Sequence, residues 1–557
     1  MDFIQIAVVL GLVILFAIPM GRYIVRAFSL ETTGLDRMFG GFEKGIYALS
    51  GIQAKDMTWK EYAKALLLVN LVMGLLAYLL LRLQGILPFN PNGITAMEQF
   101  LSFNTATSFL TNTNLQHYSG ETGLSYLSQM VVIMYLMFTT PATGLVAAIA
   151  FMRGVTGQRS LGNFYVDLVR AHTRILLPLS VIVGLLLVSQ GVPQTLQPTA
   201  VATTLQGAEQ QIARGPVAAL ESIKHIGTNG GGHFGVNSAH PFENPNGFTN
   251  ILEIISMFLI PTALPFAFGF MAQSRKQGFI IFAAMGLMFL GFLGLAYFNE
   301  LNGNPALAQT GLSQEMGSME GKEVRFGIAQ SALFTAVTTA ATTGTVNNMH
   351  DTLTPLGGLV PLAQMMLNCV FGGDGVGTMN ILMYAILAVF LAGLMVGRTP
   401  EFLGRKIEGK EMKLIAITIL VHPLIILLPS AIALATEMGT AAISNPGFHG
   451  ITQVVYEFTS SAANNGSGFE GLGDNTPFWN ISTGLVMLFG RYLSIIALLA
   501  VAGSLLAKTP VPETLGTFRT DNSVFMVILL ATVLIVGALT FFPVIALGPI
   551  AEWLSIR

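Results

Sequence analysis

Ten stretches of the chain are apolar for long enough to cross a bilayer, near residues 3–24, 65–83, 124–151, 174–192, 249–272, 279–298, 356–397, 414–436, 478–507 and 522–547. A crossing helix needs roughly 20 apolar residues. Backbone groups inside hydrocarbon must find partners within the chain, so ten such segments lead to a helical bundle. Composition agrees. Charged residues make up 10% of the 557 and mean hydropathy is +0.66, whereas a soluble domain carries roughly 25% charged residues. A water-soluble enzyme, a disordered chain and a collagen-like repeat are excluded. A net charge of −2 gives no global reason to bind nucleic acid. The single cysteine, Cys369, forbids an intrachain disulfide or a cysteine metal cage. The first stretch, Phe3 to Gly21, follows Met1-Asp2 and no basic n-region, and no A-x-A cleavage site follows it. It reads as a membrane helix, not a signal peptide.

The seventh stretch is too long for one ordinary helix, and Phe371-Gly-Gly-Asp-Gly-Val-Gly377 interrupts it. Irregular backbone at membrane depth is tolerated only where protein or a water-filled cavity surrounds it, so two half-helices flanking a loop are expected. Orientation follows from the basic residues. Most of the 27 Lys and Arg fall in five alternate loops, at 22–64, 152–173, 273–278, 398–413 and 508–521 or just beside them, and Arg398 is among these residues. Those loops are expected in the cytoplasm, which puts both termini outside.

Four of the outer loops share a design. Each opens with a segment too short to span, at Met97–Leu110, Val217–Ile226, Gly327–Ala340 and Thr452–Ala462, and then breaks into small polar residues. The breaks read Thr111-Asn-Thr-Asn114, Gly227-Thr-Asn-Gly230, Ala341-Thr-Thr-Gly344 and Ala463-Asn-Asn-Gly466. Span, short helix, polar break, span is an internal repeat, and such a period governs the whole fold. Backbone carbonyls from several converging loops can replace the water shell of a cation. Turning consecutive carbonyls inward takes unusual φ values, which Gly and then Asn accept most readily. The fourth position of every break, Asn114, Gly230, Gly344 or Gly466, is one or the other. The breaks contain no carboxylate, which favours monovalent cations held by dipoles.

These residues resemble a known family. Thr111-Asn-Thr-Asn-Leu-Gln-His-Tyr-Ser-Gly-Glu121, Gly227-Thr-Asn-Gly-Gly-Gly232, His240-Pro-Phe-Glu-Asn-Pro245, Phe371-Gly-Gly-Asp-Gly375, Gly397-Arg-Thr-Pro-Glu401 and Ser460-Ser-Ala-Ala-Asn-Asn-Gly-Ser467 are similar to motifs of KdpA. That family supplies the potassium-binding and translocating subunit of the bacterial Kdp P-type ATPase. The resemblance implies an all-α polytopic membrane protein with ten transmembrane helices. Four pseudo-symmetric span–pore helix–span repeats would surround a central selectivity filter, at 60–152, 170–275, 278–400 and 412–508. One extra helix stands at each end, at 1–30 and 521–548. It implies a K+ filter at Asn112, Thr113, Thr228, Asn229, Gly230, Thr343, Gly344, Asn465 and Gly466, with Gln116 beside it affecting affinity. It further implies transported K+, no nucleotide on this chain, lipid around it and a plasma-membrane complex. The implied partners are a KdpB-like P-type ATPase subunit that hydrolyses ATP, a KdpC-like subunit and a small KdpF-like subunit. A free-standing Trk/Ktr-like channel or transporter is the alternative.

Other residues carry open alternatives. Arg491, in the middle of the ninth span, is costly at a bilayer centre, about 2.5–3.5 kcal/mol on insertion scales. It is either a fixed positive charge under the filter or a structural ion pair or snorkelling side chain. Asp374, between Gly373 and Gly375, either gates the cation path by moving with its glycine loop or caps the second half-helix. Six histidines, His117, His225, His233, His240, His350 and His449, fall in the outer loops without a close pair such as H-x₃-H, and they read as hydrogen-bonding loop residues. The sequons at Asn465 and Asn480 read as accidental. Neither a P-loop, the Asp-Lys-Thr-Gly-Thr phosphorylation motif, G-x-S-x-G nor H-E-x-x-H occurs.

Overall fold

The computed structural model describes residues 2–29, 33–397, 399–512 and 517–556. Arg398, among the basic residues used for orientation, lies outside the described residues. The chain is mostly helical, and among the described residues ten helices are long and apolar enough to cross a membrane. Nine are continuous or nearly so: Asp2–Phe28, Trp59–Ile86, Ser128–Val155, Phe164–Ser189, Gly247–Met271, Arg275–Gln309, Gly409–Ala435, Pro477–Leu506 and Ser523–Ser555. The seventh span is broken as the glycine run requires, into Pro355–Leu367 and Val376–Val396.

Polar side chains set where these helices begin. Thr58 and Glu61 form a reciprocal capping box at the second span, and Asn246 with Thr249 form another at the fifth. Thr476 and Asn522 cap the ninth and tenth spans. Between successive spans lie the four short helices, Gln99–Leu110, Val217–Ile226, Gly327–Ala340 and Phe448–Ala463. The first begins two residues later than expected, because the Glu98 carboxylate accepts from Phe100 N and Leu101 N and fixes the start there. The fourth begins four residues earlier, because Gly447 takes φ +91° and turns the chain into the helix at Phe448.

Burial sorts the spans into two shells. The span that follows each short helix is buried over 83, 78, 56 and 56% of its most apolar stretch, in chain order. The span that precedes it is buried over only 28, 44, 39 and 28%. The following spans therefore line the interior and the preceding ones face lipid. The first span packs along the fifth at close range. A Cβ on Gly21 would stand 2.6 Å from Ala263 O, so only glycine allows this approach. Helix Asp36–Leu49 packs on the base of the fourth span, where Arg174 pairs with Glu43 at 2.7 Å and with Asp36 at 2.6 Å. An antiparallel hairpin, Ala200–Thr203 with Glu209–Ile212, stands in the loop before the second short helix.

His449, near the start of the fourth short helix, ties the end of the last span to the loop after the third break. Its Nδ1 lies 2.9 Å from Glu552 Oε1 and its Nε2 lies 3.0 Å from Asp351 Oδ1. Both nitrogens face carboxylates, so both must donate and the ring is held as the imidazolium. Burial alone would lower its pKa, but hydrogen bonds to Asp351 and Glu552 outweigh it and push the value from 6.5 up to about 9. A pKa raised on folding means the clasp contributes in full below 6.5 and loses its contribution as pH rises through about 9. Hydrogen exchange over residues 546–556 should therefore quicken above that pH in the wild-type protein. In His449→Ala the same residues should exchange fast at every pH. Equal protection of wild type on both sides of the transition would show that the clasp holds nothing.

Candidate functional site

The four short helices share one hydrogen-bonded ending. A left-handed residue lies one past the C-cap in the first three, Asn112, Thr228 and Thr342, and at the C-cap itself in the fourth, Asn464, with φ +61, +47, +45 and +54°. The next backbone N–H reaches five residues back: Thr113 to Ser108 O at 2.9 Å, Asn229 to Lys224 O at 2.8 Å, Thr343 to Thr338 O at 2.7 Å and Asn465 to Ser460 O at 3.0 Å. The left-handed residues donate three back, to Phe109, His225, Thr339 and Ser461 O. These are the paired bonds of a Schellman ending, whose left-handed position is usually glycine. Here it is Asn or a β-branched Thr, a strained choice that costs roughly 1–2 kcal/mol per residue.

Two residues later the chain turns left-handed again at Asn114, Gly344 and Gly466, with φ +60, +94 and +98°. Alternating the sign of φ brings successive carbonyls round to one side. The shared pattern aligns Thr343-Gly344 with Asn465-Gly466. Gly230 departs from expectation: its φ is not positive, and Gly231 takes the left-handed turn instead, at +66°. Glycine at 230 is required by crowding. A Cβ there would stand 2.7 Å from Thr113 O, 2.9 Å from Asn465 O and 3.1 Å from Gly466 Cα. One on Gly344 would stand 3.0 Å from Gly230 Cα and against Asn465 O, and one on Gly466 would meet Thr113 O. All four breaks therefore converge, with the Thr113 and Asn465 carbonyls among the atoms at the meeting point.

Side chains close the breaks into a ring. Asn112 Nδ2 donates to Gly227 O and Thr228 O, both at 3.2 Å, and Asn114 Nδ2 donates to Asn229 Oδ1 at 3.2 Å. Gln116 grips the second break at two points, accepting from Gly232 N at 2.9 Å and donating to Gly232 O at 3.1 Å. Ser238 and Thr345 join the second unit to the third, hydroxyl to hydroxyl, at 3.1 Å. Asn465 Nδ2 donates to Thr338 O at 3.2 Å, joining the fourth to the third. Asn464 Nδ2 donates to Thr113 Oγ1 at 3.0 Å, joining the fourth to the first. Every break residue named from the sequence is buried or reaches the convergence through its backbone, and the amides act as struts between units.

The glycine loop of the seventh span fits against two of these breaks. Gly372 N donates to Ala340 O at 2.7 Å, and Asp374 N donates to Thr228 Oγ1 at 3.0 Å. A Cβ on Gly373 would stand 2.7 Å from Thr342 Oγ1. Phe371, Gly372 and Gly375 are left-handed. Asp374 does not cap the second half-helix, whose cap position is Gly375 and which has no side-chain cap bond. Its carboxylate is buried, and neither oxygen has a hydrogen-bond partner among the described residues. Arg491 is only 5% exposed, which rules out snorkelling, and among the described residues it makes no ion pair within 4 Å. Its Nη2 donates to Thr140 O at 3.0 Å. A Cβ on Gly144 would stand 2.7 Å from both Arg491 Nη2 and Asp374 O, so the guanidinium and the loop meet at this point of the third span.

Sequence reading missed a buried charge cluster behind the second break. Lys224 occupies the helix position held by Ser108, Thr338 and Ser460 in the other units. Its Nζ lies 2.5 Å from Glu221, 2.8 Å from Glu243 and 3.2 Å from Ser238 Oγ, all fully buried. Glu243 also accepts from Phe234 N at 2.7 Å, which gives the His240-Pro-Phe-Glu-Asn-Pro245 motif a structural task. The repeat alignment was the available signal: a lysine stands where its counterparts carry hydroxyls. Of the outer histidines, His117, His240, His350 and His449 hydrogen-bond as expected. His225, inside the second short helix, hydrogen-bonds as well, with Nδ1 2.9 Å from Glu221 O, whereas His233 has no hydrogen-bond partner among the described residues and packs edge-on against Phe234.

Comparison with known proteins covers nearly the whole chain. The profile of the KdpA family, described as the potassium-transporting ATPase A subunit, matches residues 7–554. The potassium-transporting ATPase potassium-binding subunit of Geobacillus kaustophilus is 63% identical over 557 residues, covering 100% of this chain and 99% of that protein.

Proposed function

The chain belongs to the KdpA family of potassium-transporting ATPase A subunits, and from that premise we propose that its four converging breaks are the filter that takes K+ from outside. The function is that of the potassium-binding subunit of a Kdp potassium-transporting ATPase, and K+ is the transported ion. A free-standing Trk/Ktr-like transporter is the poorer account, because family membership runs from the first span to the last.

The observation that carries the filter is the shared ending of the four short helices, with the Thr113 and Asn465 carbonyls at the point where the breaks meet. A K+ ion entering there exchanges water for carbonyl oxygens supplied by Asn112, Thr113, Thr228, Asn229, Gly230, Thr343, Gly344, Asn465 and Gly466. The carbonyl ends of four buried helix dipoles point to the same region and favour a cation there. Gln116 sets the position of the second break, and through it the spacing of the oxygens. Four repeats, at 60–152, 170–275, 278–400 and 412–508, supply one break each, flanked by a first helix (1–30) and a last (521–548). Beneath them Arg491 is a fixed positive charge that opposes free cation flow, and Asp374 with Gly373 and Gly375 forms a movable gate.

Selectivity at equilibrium cannot concentrate an ion; energy has to enter through differential binding between states. We place that input on partner subunits: a KdpB-like P-type ATPase, with KdpC-like and KdpF-like subunits beside it. This chain is not catalytic alone and carries no nucleotide in this reading. The basic loops 22–64 and 398–413 face the cytoplasm of a bacterial inner membrane and offer docking surfaces, and both termini lie outside.

Gly230→Ser should weaken K+ binding and admit Rb+ or Na+ more readily, because the new side chain pushes against the Thr113 and Asn465 carbonyls. Isothermal titration with the three ions reads this directly, and unchanged affinity and selectivity would remove Gly230 from the filter. Gly373→Ala with Gly375→Ala should lower turnover in proteoliposomes while K+ affinity holds; wild-type turnover would make the loop static packing. The purified chain should bind K+ yet hydrolyse no ATP, with active transport restored only by its ATPase partner. Accumulation of K+ by the chain alone, without an imposed gradient, would falsify the subunit reading.

A further inference from the structure

Outside the filter, three donors separated widely in sequence come together on the outer side. His117 follows the first break by three residues, Glu457 sits on the fourth short helix and Asp474 lies in the loop after the fourth break. Each places a ligand atom within 4.8 Å of the others. His117 Nε2 lies 3.1 Å from Glu457 Oε1 and 3.8 Å from Asp474 Oδ2. Two donors bound to one Zn²⁺ at about 2.0–2.2 Å each stand at most about 4.4 Å apart, so both distances from His117 lie within reach of a shared ion.

Two further observations point to a ligand. The Asn480 amide is oriented by its own bond, since its Nδ2 donates to Asn475 Oδ1 at 3.1 Å, so its Oδ1 faces His117 Nδ1 at 2.8 Å. His117 therefore donates from Nδ1, the arrangement that fixes a ligating histidine with its Nε2 lone pair free. That lone pair faces only carboxylates, so a cation must stand between them, either a proton or a metal ion. Separately, Glu457 is fully buried, yet its Oε2 has no hydrogen-bond partner among the described residues. A buried carboxylate that meets an imidazole nitrogen through Oε1 and leaves its second oxygen without a donor has acceptor capacity left for a ligand. Entry is open from outside, because the Asp474 side chain is 24% exposed while those of His117 and Glu457 are 0 and 1%.

We propose that His117, Glu457 and Asp474 form a divalent transition-metal site of the zinc type on the outer side of the filter. One imidazole with two carboxylates suits Zn²⁺ better than Mg²⁺, which prefers oxygens alone and keeps its waters. A metal there bridges the segment leaving the first break to the fourth short helix and the loop after the fourth break. It therefore holds two units of the filter together from outside. No sequence spacing announces it, because the donors come from three separate segments.

The test is isothermal titration of ZnCl₂ into the metal-stripped full-length protein in nanodiscs, with K+ present throughout and MgCl₂ as competitor. Wild type should bind one Zn²⁺ that excess Mg²⁺ does not displace. His117→Ala and Asp474→Asn should each weaken binding more than tenfold, since even losing a group that only orients a ligand costs about 10–100-fold. His449→Ala, which removes the other carboxylate-bridged outer histidine, should leave Zn²⁺ binding unchanged. Should His117→Ala fail to fold, the partly exposed Asp474→Asn decides alone. Absence of saturable binding to wild type, full affinity in Asp474→Asn, or loss of binding in His449→Ala would each overturn the site.

Discussion

A hydrogen-bonded helix ending built on a left-handed residue is the element on which the rest of this protein depends. Inside a membrane no water can satisfy a helix's last carbonyls. Each short helix therefore closes on itself through paired bonds from the next two residues, as Asn112 and Thr113 do onto Phe109 and Ser108. That closure turns the chain sharply and aims the following carbonyls away from their own helix. In the function proposed above, four such endings directed at one place replace the water shell that a bare cation lacks. The surrounding spans hold them in register, with the better-buried span of each unit packed on the inside.

The strain in these turns is held by the neighbours. A β-branched threonine at φ +47 or +45° does not stay there unaided, and Thr228 and Thr342 are both buried in contact with the glycine loop of the seventh span. Thr228 Oγ1 accepts from Asp374 N, and a Cβ on Gly373 would crowd Thr342 Oγ1. At each of these positions the hydroxyl meets the loop while the backbone belongs to a converging break. The same residues that bend the chain thus record where the loop stands. A glycine would adopt the turn more cheaply but would carry no such contact.

Much of this was legible in the sequence, and the limits have physical reasons. Ten spans, the broken seventh and the four short helices follow from hydrophobic length and from punctuation by small polar residues, because lipid enforces both. Among the four short helices the starts moved only at Glu98 and at Gly447, where a cap or a left-handed glycine intervened. The identity of the break residues was readable, but their handedness was not. Gly230 was expected to be the left-handed residue of its break, yet Gly231 is, since the crowding that demands glycine at 230 comes from carbonyls more than 100 residues away in either direction. The Lys224 cluster and the His117 group escaped for the same reason. Their partners are set by how units pack against each other, and no local pattern encodes that. Asp374 looked equally suited to capping, and only the cap position at Gly375 removes that role.

The loop's attachment also sets a scale for coupling. Its recorded direct bonds to the breaks are Gly372 N to Ala340 O and Asp374 N to Thr228 Oγ1. A hydrogen bond is worth roughly 0.5–1.5 kcal/mol net, so releasing both costs about 1–3 kcal/mol. A difference of that size between two states changes an affinity by roughly 5- to 150-fold. For the filter proposed above, that is enough to convert a state that holds K+ into one that releases it, and small enough for the conformational change of a proposed partner to supply. A loop fastened by many more bonds would be too costly to move, and one with none could not report its position to the filter. Asp374 sharpens the effect. Its carboxyl group has no hydrogen-bond partner among the described residues, and its backbone carbonyl meets the Arg491 guanidinium at Gly144, so any movement of the loop shifts buried polar groups beside a fixed positive charge. In the function proposed above, such a displacement in a medium of low polarity would be felt at the adjoining carbonyls and would couple them to whatever moves the loop.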